Sequence, residues 1–142
     1  MLGCGGPGDQ ATLRAQLEAA LQAMTLLANY SPRLAGLLAT GHAERRLPVV
    51  LHLCAEHVDE VHRTLVARDI PVRTFATRLH IPREGAQVLP GIGFFAGAQE
   101  FRLLVFSESQ FRQRLCVGAE TEPSTRLPEA KVREWIARLP AA

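Results

Sequence analysis

The feature that most constrains this chain is a change of apolar period at Asp69-Ile70-Pro71. Before that point, apolar residues recur at three- and four-residue spacing in two segments, the spacing of one helix face. After it they alternate, as on a strand whose two faces meet different surroundings. Three runs follow the alternating pattern: residues 72–81 around Phe75, Leu79 and Ile81, residues 88–95, and residues 100–106 around Phe101, Leu103 and Val105. Turns at Pro82 to Gln87 and at Ala96-Gly97-Ala98 separate them. Leu104 and Phe106 add apolar side chains to the second face of the last run, which predicts a central strand.

The two helical segments are residues 12–29 and 56–68. The first carries Leu13, Leu17, Leu21, Met24 and Leu27 or Ala28 on its apolar side, with Thr12 as N-cap and Ser31-Pro32 closing it. The second carries Val58, Val61 and Leu65 on one side and His57, Glu60, Arg63 and Thr64 on the other. Between them lie short apolar runs at 33–39 and 49–54, separated by the polar loop 41–46. Length and β-branched content favour strands, although Leu34 to Leu38 fits either state. Residues 107–123 read as irregular. Pro128 suits the first turn of a last helix, which reaches about Leu139 with Val132, Trp135 and Ile136 on its core side.

Helix, two strands, helix, three strands, helix predicts an α/β (α+β) fold: a mixed sheet of about five strands with helices packed on it. The 142 residues suffice for one core, so residues 12–142 read as a single domain. Residues 1–11, glycine-rich from Gly3 to Gly8, read as a flexible tail.

Composition excludes several classes. The net charge of +2, with arginines scattered along the chain, gives no strong case for nucleic-acid binding. No apolar run approaches the roughly 20 residues of a membrane span. Cys4, Cys54 and Cys116 form neither a C-x-x-C pair nor a disulfide framework, which fits a reducing cytoplasm.

No catalytic motif is complete. Two-metal phosphoryl transfer needs converging carboxylates, which a strand supplies as Asp-x-Asp because alternate side chains share a face. The aspartates here are Asp9 in the tail and Asp59 and Asp69 on or beside the second helix, so no metal site is expected. His57 and His62 stand about 140° apart around that helix, too far to share an ion. His52 sits inside an apolar strand and reads as a hydrogen-bonded semi-buried residue or a catalyst. Cys54, where a strand hands over to a helix, reads as a structural cysteine or a nucleophile. Gly91-Ile92-Gly93 runs into Phe94-Phe95 rather than a helix, which excludes a dinucleotide fingerprint and suggests a bulge or a close backbone approach.

Pro32-Arg33-Leu34 through Gly41, then Leu51-His52-Leu53, Asp69-Ile70-Pro71 and the late strand Phe101-Arg102-Leu103-Leu104-Val105-Phe106 carry a family likeness. Over roughly residues 12–106 the chain resembles small proteobacterial nucleotidyltransferase-like proteins of the DNA polymerase β superfamily fold. The resemblance implies a glycine-led loop and an Asp-x-Asp opening the second strand. Here Gly41 is followed by His42, and Pro48 and Val50 stand where the carboxylates belong; neither side chain has an oxygen for Mg²⁺. The resemblance therefore implies a degenerate member, without cofactor or catalytic residues, that serves as a binding or regulatory module. Its ligand, a nucleotide or other phosphate, is expected beside Gly41, His42, Arg45, Arg46 and His52. Two alternatives stay open: transfer chemistry with Mg²⁺ and a nucleoside triphosphate on the atypical carboxylates Glu44 and Glu100, or a domain that binds only a protein partner.

Overall fold

The computed structural model describes residues 7–44, 46–113 and 126–139. Its first helix, α1, spans Pro7–Leu26. It starts at Pro7 rather than Thr12, so residues 7–11 are helical and not a tail. Proline is suited to a first helical turn, where its missing N–H would have no intrahelical acceptor. Leu13, Leu17, Ala20 and Met24 form its buried side, and Leu27, just beyond its end, is buried too.

The two short apolar runs end differently. The first is strand β1 only over Arg33–Ala35. Gly36 then takes φ 71, and Leu37–Thr40 makes one 3-10 turn closed by Gly41 at φ 87. The predicted strand 33–39 is thus corrected beyond Ala35: Leu38 and Ala39 reach the core from a helical turn. The second run is β2, Val49–Cys54, as its length and composition predict.

Helix α2, Val58–Val66, lies inside the predicted segment. Asp69 at φ 60 lets the Ile70 N–H return to the Leu65 carbonyl at 3.1 Å, which ends it. The meander follows as β3 (Arg73–Ile81), β4 (Gly85–Ala96) and β5 (Gln99–Phe106). The turn between β3 and β4 is tighter than predicted, because the Glu84 N–H donates to the Ile81 carbonyl at 2.9 Å. Part of the segment read as irregular is helix α3, Glu108–Phe111, started by a capping box between Ser107 and Gln110. Helix α4, Glu129–Arg138, completes the described residues.

The five strands form one mixed sheet in the order β1-β2-β5-β4-β3. Only β2 and β5 run parallel, with Leu51 beside Leu103 and His52 beside Leu104. Alternation sends Leu51, Leu53, Leu103 and Val105 to one face, where α1, α2 and α4 cover them in the main core. The second face carries a smaller cluster, Ile81, Leu89 and Phe106, against which Phe111 of α3 packs. Leu127 joins the free side of β1 by paired backbone hydrogen bonds with Leu34, both 2.8 Å. That bridge sets Arg126 beside β1 and β2.

Candidate functional site

The second sheet face gathers the polar groups that lack an ordinary structural explanation. Arg33 opens β1 directly opposite His52 on β2. His52 is 5% exposed, and its Nδ1 accepts a hydrogen bond from Arg126 Nε at 2.9 Å. Burial, and secondarily the Arg126 charge, pushes the imidazole pKa down to about 3, so the ring is a neutral acceptor at physiological pH. Its other neighbour is Phe106, with ring centroids 4.8 Å apart. His52 therefore orients an arginine.

Arg126 is held on three sides. Its guanidinium carbon stands 4.8 Å from the Phe111 ring centroid and 5.0 Å from that of Phe106, and Nη1 donates to the Phe111 carbonyl. Nη2 is buried and has no hydrogen-bond acceptor among the described residues. Arg33 approaches the same Phe111 ring at 5.6 Å, and its Nη1 donates to the Ser31 and Pro32 carbonyls. Burial, then the Arg33 charge, lowers the Arg126 pKa to about 10. Among the described residues neither arginine has a carboxylate partner. Among the described residues this corner therefore holds two cations and no carboxylate, with one guanidinium donor unpaired.

The sequence-derived candidates do not converge. His42 and Glu44 meet each other at 4.0 Å, both exposed. Glu100 pairs with Arg102 at 3.2 Å, and His52 pairs with Arg126. On β5, Glu100 lies four residues before Leu104, the neighbour of His52, about 13 Å along the strand. Gly41 is buried at the end of the 3-10 turn and Arg46 is exposed, while Arg45 falls outside the described residues. The loop itself is fastened from below by Gln16, a 5% exposed side chain on the apolar side of α1. Its Nε2 donates to the Glu44 carbonyl at 2.9 Å and to Gln99 Oε1 at 3.2 Å, and Gln99 in turn donates to the Leu47 carbonyl at 3.3 Å. Val50 packs over Gly36, where an added Cβ would stand 3.3 Å from it, so hydrocarbon fills that position.

Among the described residues no three His, Cys, Asp or Glu side chains gather as metal ligands. Burial, then Glu108 and Glu56, raises the Cys54 pKa against the opposing pull of Arg112, which keeps it a thiol rather than a thiolate. No helix among the described residues is long and apolar enough to cross a membrane.

Sequence reading missed Arg126, Phe111 and Gln16. Nothing local connects Arg126 to a histidine 74 positions earlier. Gln16 had a signal, being a polar residue three positions after Leu13 on an apolar helix side.

The fold and its site thus define a mixed α/β domain with two arginines at one phenylalanine ring on one sheet face. No family model, curated protein or solved structure matches the chain.

Proposed function

We propose that this chain is a nucleotidyltransferase-like binding module that works without metal-dependent transfer and holds a phosphate-bearing ligand through Arg33 and Arg126. The observation that carries the proposal is the pair of guanidinium groups on one Phe111 ring, with no carboxylate of the described residues against either. Arginine suits the task because its planar fork matches phosphate oxygens and keeps its charge when partly buried. An anion between the two groups relieves their mutual repulsion. His52, neutral and hydrogen-bonded to Nε, fixes the orientation of Arg126 and supplies no proton. The site thus keeps His52 from the sequence-derived set and exchanges the loop arginines for Arg33 and Arg126. Pro48 and Val50, without side-chain oxygens, support binding over transfer. A cytoplasmic location, argued from cysteine spacing, belongs to the same proposal.

Isothermal titration with ATP and with inorganic phosphate, in Mg²⁺ and again with excess EDTA, tests it. The proposal requires binding that survives the chelator and weakens about tenfold in Arg33→Met. Absence of binding, or its loss with EDTA, contradicts it.

A further inference from the structure

The open end of the same sheet face holds a second feature, independent of the arginine pair on Phe111. Gly93 of β4 lies opposite Arg73 of β3 on one side and opposite Arg102 of β5 on the other. Opposed residues share a face, so two arginines flank a position that has no side chain. Along β4 the next residue on this face is Phe95, which is 51% exposed. On the other side Phe75 lies across Gly91, its ring in the space a Cβ there would need, 2.4 Å away. The resulting trough has a volume of about 380 Å³, within the range of small-ligand sites.

Its charges are available. Arg73 makes no hydrogen bond or ion pair among the described residues. Arg102 engages Glu100 through Nε at 3.2 Å, while its guanidinium carbon stands 5.7 Å from the Phe75 ring centroid. Its terminal nitrogens have no acceptor among the described residues. Glu100 offsets only one of the two positive charges.

We infer that the trough over Gly93 binds a small aromatic anion, its planar ring against phenylalanine and its acidic group between Arg73 and Arg102. The aromatic walls favour a flat ring, the arginines favour a phosphate or carboxylate, and the volume admits a ligand of one or two rings. Glycine at 93 is what keeps the floor open. A Cβ there meets only ordinary contacts, Phe101 O at 3.7 Å and Phe75 at 3.8 Å, so a larger residue fills the trough without forcing the backbone.

The test is calorimetric titration of the full chain with phenyl phosphate, inorganic phosphate and phenol, joined by benzoate and AMP. Phenyl phosphate should bind about tenfold more tightly than phosphate or phenol alone, and Gly93→Val should weaken it by about tenfold while the melting temperature holds or rises. Should Gly93→Val fold poorly, Arg73→Gln, an exposed change, should weaken phenyl phosphate about threefold. Preference for AMP over benzoate identifies a phosphate site, and the reverse a carboxylate site; both support the inference. Equal binding of phosphate and phenyl phosphate overturns it. So does unchanged binding in folded Gly93→Val.

Discussion

His52 Nδ1 accepts a hydrogen bond from Arg126 Nε at 2.9 Å, which joins the middle of the sheet to a residue beside its β1 edge. Burial first, and then the Arg126 charge, make the histidine a titrating element of stability. Its pKa in the fold is about 3 against an ordinary 6.5, so the unfolded chain binds the proton more readily. This contribution is fully present above pH 6.5 and is lost as pH falls towards 3, at a slope on the order of 1 kcal/mol per pH unit. His52→Gln keeps an acceptor for Arg126 but does not titrate. Urea unfolding between pH 7 and 4.5 should therefore fall less steeply in His52→Gln than in the parent chain.

Gln16→Leu should destabilise the chain by about 1–2 kcal/mol, since it leaves the Glu44 carbonyl and Gln99 without their buried donor. Hydrogen exchange reads the local effect. Amides of residues 41–47 should exchange faster in the variant, while those of β4 stay unchanged.

Gly91 and Gly93 of β4 predict different outcomes. Gly91→Ala displaces the Phe75 ring and should cost about 1 kcal/mol, visible as a lower urea midpoint. Gly93→Ala meets only ordinary contacts and should stay within about 0.5 kcal/mol of the parent. Equal losses at both positions would contradict the placement of the ring.

Ser107→Ala removes the hydroxyl that accepts from the Gln110 N–H at 3.3 Å and should cost about 1 kcal/mol. Because α3 carries Phe111, the same change should loosen the ring beneath both arginines. Ring-proton NMR linewidths of Phe111 provide the measurement.

Much of the fold was legible because the sheet separates two unlike faces. Strands β2 and β5 could be read from the near-continuous apolar side chains that central strands require, and α2 from Val58, Val61 and Leu65. What escaped depended on conformation or on distance along the chain. Leu34 to Leu38 is too short to show a period, and the switch at Gly36 rests on a positive φ with Val50 close by. Helix α3 is also too short for a period, but Ser107 followed by Gln110 had the spacing of a capping box. The candidate site was legible only at His52. Its partner stands 74 positions later in the chain and arrives through the Leu34–Leu127 bridge, which no local pattern encodes.

Whether Arg33 and Arg126 hold an anion can be read from their own side-chain resonances. Arginine Nε–Hε correlations should be recorded while inorganic phosphate is added in the presence of EDTA. An anion held by the pair gives saturable shifts of Arg33 and Arg126 with Arg46 unmoved, and the Arg126 response is lost in Arg33→Met. Shifts confined to Arg46, or no saturable shift at Arg33 and Arg126, would contradict it.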